Sequence, residues 1–210
     1  MLKINQTNLF NQIPDGILFD TDNTLYSYDP AHQKAMSVLK QKISNTLNVP
    51  IKDVENNFNK SRSEVKKLLK NTAASHSRLL YIQGMLEFFG LGSQVLLALD
   101  FEQTYWRVFL SEAKLFPGLE KFLEELRFLQ VPMAIVTDLT AQIQFRKMVY
   151  FELDHYFDYI VTSEEVGYDK PHRLPFEISL KKMNLNKKHN IWFIGDNPKN
   201  DIEGAKRHIN

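Results

Sequence analysis

The stretch ILFDTDNTLY, residues 17–26, decides the fold prediction for this chain. Its apolar residues follow Gly16, and a short apolar run bounded in this way predicts a buried strand. Asp20 and Asp22 come directly after that run. Because ligands of α/β proteins bind outside the carboxyl ends of the strands, two carboxylates here suit a cation site or a division of acid and nucleophile work. A strand-ending Asx turn is the alternative, since Asp and Asn favour turns through local hydrogen bonds.

The composition predicts an ordinary globular protein. The chain has 210 residues, a formal net charge of +1 and no cysteine, which excludes disulfides and thiolate metal sites. A near-zero net charge disfavours nucleic-acid binding through bulk electrostatics. No apolar run approaches the length of a membrane span, and residues 1–15 lack the layout of a signal peptide. We therefore expect a cytoplasmic protein with no nucleic-acid or membrane partner, while nothing in the sequence predicts the oligomeric state.

Three further apolar runs resemble the first one. Each is short, rich in β-branched or aromatic residues, and followed by polar residues; they span residues 131–136, 159–161 and 191–194. Helical patterns lie between them, at residues 119–128, 141–151 and 175–183. Strands that alternate with helices predict a parallel sheet covered on both faces.

Residues 27–114 break this alternation. Apolar residues recur there at helical spacing and no convincing strand pattern occurs. The segment is therefore predicted to be a helical module inserted into an α/β core formed by residues 1–26 and 115–210. Four of its lysines are expected to form a solvated helix face rather than an anion-binding surface; they are Lys60, Lys66, Lys67 and Lys70.

Polar residues follow each predicted strand, and the carboxyl ends of parallel strands meet at one edge of a sheet. The set is Asp20, Asp22 and Thr24, then Thr137 and Asp138, then Lys170, then Asp196 and Asp201. Carboxylate oxygens suit magnesium, and an ammonium and a hydroxyl suit a phosphoryl group. Taken singly, most of these residues are equally explained as turn, cap or surface residues. For Asp138 we favour a cap of the helix that begins near Thr140.

Four motifs in this set together resemble the haloacid dehalogenase superfamily in its phosphatase branch. They are FDTDNTL at 19–25, IVTD at 135–138, DKP at 169–171 and IGDNPKNDIEGAK at 194–206. The resemblance implies an α/β fold: a Rossmann-like, doubly wound parallel-sheet core with an α-helical cap, residues 27–114, inserted after the first strand. Because relatives continue beyond the last motif, it also implies either a core that lacks their usual last strand or a chain that is truncated relative to them.

The resemblance assigns catalytic roles as well. Asp20 would be the nucleophile that forms an aspartyl-phosphate. Asp22 would protonate the leaving alcohol and then activate water. Thr137 and Lys170 would hold the phosphoryl group, with Asp138 beside them at the substrate.

Magnesium is the implied cofactor. Asp20, the backbone carbonyl of Asp22, and Asp196 would bind Mg²⁺, and Asp201 would support the metal or orient Lys170. In the dehalogenases of the superfamily, displacement of halide needs neither the metal nor protonation of the leaving group. The presence of both Asp22 and Asp196 therefore favours phosphate esters.

A small phosphorylated metabolite is the implied substrate, and the sequence does not name it. His76 and Arg78 are candidate substrate contacts in the helical module, since Arg binds a carboxylate or a second phosphate through two hydrogen bonds. An exposed helix start capped by Ser77 is the alternative for this pair. A phosphomutase, a response-regulator-like phosphoacceptor and a non-catalytic binding or assembly protein on the same core stay open as other functions.

Overall fold

A computed structural model describes residues 12–209 of the chain. Its strands form one four-stranded sheet in the order β3-β2-β1-β4, and every neighbouring pair is parallel. The strands are β1 (Gly16–Phe19), β2 (Met133–Thr137), β3 (Tyr159–Thr162) and β4 (Ile191–Ile194). The predicted α/β fold with a parallel sheet is confirmed, and all four strands lie where the apolar runs predict them.

Helices connect the strands and fill the long segment between β1 and β2. They are α1 (Tyr28–Leu47), α2 (Ile51–Leu69), α3 (Arg78–Phe88), α4 (Val95–Glu112), α5 (Leu119–Phe128), α6 (Ala141–Tyr150), α7 (Ser163–Val166), α8 (Arg173–Lys182) and α9 (Gly204–His208). A 3-10 turn, Ala73–His76, precedes α3, and a π-helical turn, Pro198–Glu203, precedes α9. Every described element between residues 28 and 112 is helical.

The two faces of the sheet bury alternate strand residues. Ile17 and Phe19 of β1 pack in one apolar cluster with Leu123 of α5, whereas Leu18 packs on the other face with Phe176 of α8. All residues of β1 are buried. A strand covered on both faces needs apolar residues at every position, which is why the run before Asp20 is continuous rather than alternating.

Helices α1 to α4 pack on one another, most extensively α1 on α4 and α2 on α3. Aromatic rings join this segment to the chain that leaves β1: Tyr26 meets Phe109 of α4 edge-on, with ring centroids 6.3 Å apart. The helical segment is thereby held beside the carboxyl end of β1. No described helix in residues 12–209 is long and apolar enough to cross a lipid bilayer.

Candidate active site

The first residue after β1 lies at the centre of the candidate site. The backbone amide of Asp20 donates to the carbonyl of Ile194 at the end of β4, 2.9 Å away. Its carboxylate Oδ1 is 2.7 Å from the ammonium of Lys170. That ammonium also lies 2.7 Å from Asp201 Oδ1 and donates to the carbonyl of Val136 in β2 at 2.9 Å. Lys170 therefore joins Asp20 and Asp201, which follow β1 and β4, to the carboxyl end of β2, as their order in the sequence predicts.

Burial and charge oppose each other in this contact. Burial raises the pKa of Asp20 to about 6, Lys170 works against that rise, and Asp201 adds to it. For Lys170, burial disfavours the charge, but the carboxylates around it outweigh burial and hold its pKa well above the usual range. Lys170 thus stays an ammonium ion at physiological pH, and Asp20 depends on nearby positive charge to remain ionised.

Three carboxylates form a cluster that could hold a cation. One oxygen each of Asp20, Asp196 and Asp201 lies within 4.8 Å of the others. Gly195 makes the close approach possible, because a Cβ there would be only 2.5 Å from Asp201 Oδ2. Burial and the nearby Asp201 raise the pKa of Asp196. An all-oxygen donor set with excess negative charge fits a hard divalent cation such as Mg²⁺.

The carboxylate of Asp22 lies outside this cluster. Its Oδ1 is 2.7 Å from the ammonium of Lys147 and accepts a hydrogen bond from the Tyr26 hydroxyl. Burial raises the pKa of Asp22, but the charge and hydrogen bond of Lys147 together with the Tyr26 bond outweigh burial, so the pKa lies below its usual value. The two aspartates of the motif therefore have different environments and opposite pKa shifts.

Lys147 is a site residue that the sequence prediction missed. Its side chain is 1% exposed and its ammonium lies 5.5 Å from the ring centres of Tyr26 and Phe109. It comes from α6, which places Lys147 four residues after Ile143 on the buried face of the helix. A charged residue at a core position of an amphipathic helix was the available signal.

Thr137 is the last residue of β2 and Asp138 follows it, but their side chains have different partners. Thr137 is buried, and its hydroxyl is 3.3 Å from that of Thr21. Asp138 Oδ1 accepts the backbone amide of Lys170 at 2.7 Å. The expectation that Asp138 caps the next helix is wrong: the first amide of α6, at Ala141, donates to Glu164 instead. The carboxylate of Asp138 turns toward Lys170 because a buried backbone N–H there needs an acceptor.

Comparison with known proteins agrees with this geometry. The family model described as haloacid dehalogenase-like hydrolase matches residues 15–208. The chain belongs to this family. The resemblance to the superfamily that the four motifs indicate is thereby confirmed, and the match covers almost the whole chain.

Two curated relatives of the hydrolase are phosphatases. The ribulose-1,5-bisphosphate 5-phosphatase of Halopiger xanaduensis is 34% identical over 191 residues, which cover 90% of this chain and 80% of that protein. The glyceraldehyde 3-phosphate phosphatase of Methanocaldococcus jannaschii is 27% identical over 203 residues, covering 91% and 80%. Among solved structures, the HAD-hydrolase YfnB from Bacillus subtilis bound to magnesium superposes with a TM-score of 0.64 at 20% identity, covering 93% of this chain and 86% of that one, and shares the fold.

The two candidate substrate contacts of the hydrolase, His76 and Arg78, have different partners. His76 Nε2 is 3.0 Å from Asp169 Oδ2, directly before Lys170. Arg78 lies over the rings of Tyr105 and Trp106, with its carbon Cζ 4.5 and 4.6 Å from their centres. Ser77 caps α3 by accepting the amide of Leu80, so the predicted helix start is present alongside these contacts.

Proposed function

We propose that this hydrolase is a magnesium-dependent phosphatase that cleaves a small phosphomonoester through an aspartyl-phosphate on Asp20. The position of Asp20 carries the proposal. Its carboxylate lies at the sheet edge, in contact with the Lys170 ammonium and in one cluster with Asp196 and Asp201. The names of the curated relatives support the reaction class.

In the first step, a carboxylate oxygen of Asp20 attacks phosphorus, and the bond from phosphorus to the ester oxygen breaks. Lys170 stabilises the charge on the phosphoryl oxygens, and the Thr137 hydroxyl holds one of them. The second step is attack of water on the aspartyl-phosphate, which releases inorganic phosphate and restores Asp20. A carboxylate nucleophile thus divides one difficult hydrolysis into two easier displacements.

Asp22 transfers the proton in both steps. In the second step it must be ionised to accept a proton from water, and the lowered pKa of Asp22 suits that role. In the first step it must give a proton to the leaving oxygen. A dianionic phosphate bound beside it favours the protonated form, because like charges raise the pKa of a carboxyl. Lys147 and Tyr26 would hold the carboxylate in place between the two steps.

Magnesium fits the acidic cluster. Asp20, Asp196 and the backbone carbonyl of Asp22 would hold the ion, with Asp201 supporting it. When bound, Mg²⁺ supplies positive charge that neutralises the phosphate oxygens. The magnesium in YfnB, a protein of the same fold, supports this cofactor.

We also propose that residues 27–114 form a cap domain on a core made of residues 1–26 and 115–210, in a cytoplasmic enzyme. The contacts of α4 support this division into a cap and a core. Phe109 of α4 reaches Tyr26 and Lys147 beside Asp22, so the helical segment lies next to the proton-transfer group. A cap in this place would exclude water from the phosphate site when it closes.

Release of inorganic phosphate tests the proposed function. We expect hydrolysis of p-nitrophenyl phosphate and of sugar phosphates with Mg²⁺, and loss of that activity in excess chelator. Re-addition of Mg²⁺ should restore the rate, which separates metal loss from unfolding. No metal-dependent release from any phosphomonoester would favour the non-catalytic binding protein, and turnover that requires a sugar bisphosphate activator would favour a phosphomutase.

Replacing Lys147 by Met should lower kcat about 10–100-fold, the usual cost of losing a group that orients an active-site residue. The pH–rate profile adds a readout that a purely structural loss would not move. Without the ammonium the pKa of Asp22 rises, so the limb that reports Asp22 should shift to higher pH. Arg146→Met, an exposed change one residue away on α6, is the matched control. An unshifted profile in Lys147→Met would show that Lys147 does not act through Asp22.

A further inference from the structure

Helices α1, α2 and α3 line an open cavity of about 570 Å³ near the candidate active site. Its charged lining is cationic throughout: Lys40, Arg62, Lys66 and Arg78 face it, and no Asp or Glu is among its described lining residues. The volume lies within the usual range of small-molecule sites. A cavity of this size and charge is a candidate site for an anion.

Among the described residues, only one of the four cations that line this cavity has a carboxylate partner. Lys40 pairs with Glu55 at 2.6 Å. Within residues 12–209, no carboxylate oxygen lies within 4.0 Å of the charged groups of Arg62, Lys66 or Arg78. Arg62 and Lys66 stand four residues apart on α2, a spacing at which like charges repel. The arrangement costs stability in the free protein, so an anionic ligand would be attracted to it.

Neighbouring groups respond to the same positive charge. Burial, Arg78 and Arg62 together lower the pKa of His32 to about 4. Burial and Arg62 lower the pKa of Lys66. Lys66 is exposed, as the predicted solvated face requires, and it also lines the cavity.

Short contacts connect the cavity to the catalytic residues. The backbone amide of Tyr28, a lining residue, donates to Asn23 Oδ1 at 2.9 Å, and Asn23 directly follows Asp22. The hydroxyl of Tyr28 accepts from Arg78. On the other side, His76 contacts Asp169, the residue before Lys170. Two lining residues of the cavity are therefore bonded to residues that directly adjoin Asp22 and Lys170 in the chain.

We propose that this cavity binds a second anionic group, a phosphate or a carboxylate, on the substrate whose ester phosphate Asp20 attacks. Arg62 and Arg78 are its main ligands, since the planar guanidinium forms paired hydrogen bonds with either anion. Arg78 is held over two aromatic rings and is pre-organised for this role. The inference rests on the proposed phosphatase function and names the substrate class: phosphomonoesters with a distal negative charge.

Three compounds of one chain length test the proposal. They are pentane-1,5-diol bisphosphate, 5-phosphooxypentanoate and 5-hydroxypentyl phosphate, which end in a phosphate, a carboxylate and a neutral hydroxyl. We expect kcat/KM to be about 10-fold or more higher for at least one anionic compound than for the neutral one. Whichever anion gives the larger ratio identifies the group that the cavity takes.

Matched variants assign the effect to the cavity. In Arg62→Met the ratio of anionic to neutral substrate should fall about 10-fold. Lys67→Met removes a cation from the same helix outside the cavity lining and should leave the ratio unchanged. Because each ratio is internal to one variant, a general loss of folded enzyme cancels. A wild-type ratio near one, or an equal fall in both variants, would overturn the proposal.

Calorimetry separates this inference from the proposed function. Asp20→Asn protein is titrated with the bisphosphate and with the neutral compound, with and without Arg62→Met. Tighter binding of the bisphosphate that Arg62→Met removes would support the anion site even if no compound is hydrolysed. If Asp20→Asn binds both compounds with equal affinity while the wild type hydrolyses them, the anion site is refuted and the phosphatase proposal stays intact.

Discussion

Asp20→Asn is expected to lower kcat for phosphomonoesters by about 10⁴-fold or more, the order of loss seen when a catalytic group of a covalent hydrolase is removed. An amide has nearly the shape of a carboxylate but is a poor nucleophile, so the aspartyl-phosphate cannot form. The fold should persist, because Lys170 keeps its contacts with Asp201 and with the carbonyl of Val136. Intact-protein mass spectrometry after acid quenching should find a phosphoryl adduct on the wild type and none on the variant.

Asp53→Asn is the matched control, since it makes the same chemical change on the exposed surface of α2. It should retain the wild-type rate and the adduct. A phosphoryl adduct on Asp20→Asn, or phosphate release at the wild-type rate, would refute covalent catalysis at Asp20. Thermal unfolding of each variant confirms that lost activity reflects chemistry rather than unfolding.

The sheet edge could be predicted from sequence because its signals are local. Each strand is a short apolar run, and the residues that meet at the site lie in the segments that follow those runs. Asp20 and Lys170 are 150 positions apart, yet the parallel topology alone brings them to one edge. The helix α5 is found at its predicted bounds because its apolar periodicity is strong and Gly118 precedes it.

The side-chain pairs could not be predicted from the sequence, because they depend on how the helices and strands pack. Lys147 lies on a helix face whose partner, the loop after β1, is 125 positions away. Asp138 was expected at a helix start, but Glu164 takes that amide and leaves Asp138 for Lys170. The charges that line the cavity come from three helices, and only their packing shows which cations face inward.

Lys170→Met should destabilise the fold as well as the reaction. The ammonium is buried between Asp20 and Asp201, and removing one partner of a buried ion pair costs about 3–5 kcal/mol. Loss of a charged donor to the phosphoryl oxygens should also lower kcat about 10²–10³-fold. Lys182→Met breaks only the surface pair with Glu165 and should cost less than about 1 kcal/mol. Urea unfolding in chelator at neutral pH measures the free energy of unfolding of both variants.

The stability loss in Lys170→Met should depend on pH with a defined sign. Burial already raises the pKa of Asp20 to about 6, and removal of the ammonium raises it further. A carboxyl whose pKa is higher in the folded protein stabilises the fold below its unfolded pKa, and that contribution is lost as pH rises through the folded pKa. The deficit relative to wild type should therefore be largest well above pH 6 and shrink as pH falls to about 6, where Asp20 of the folded wild type also takes up a proton.

Magnesium is expected to compensate part of this loss, because the proposed metal ligands include carboxylates that Lys170 contacts. In the wild type, Lys170 neutralises Asp20 and Asp201 in the free protein, and that limits what the ion adds to stability. In Lys170→Met the carboxylates have lost the ammonium as a counter-charge, so an ion that binds only the folded state stabilises it more. The rise in Tm on adding Mg²⁺ should be larger for the variant than for the wild type. Equal rises would mean that the lysine and the metal do not share the charge of these aspartates.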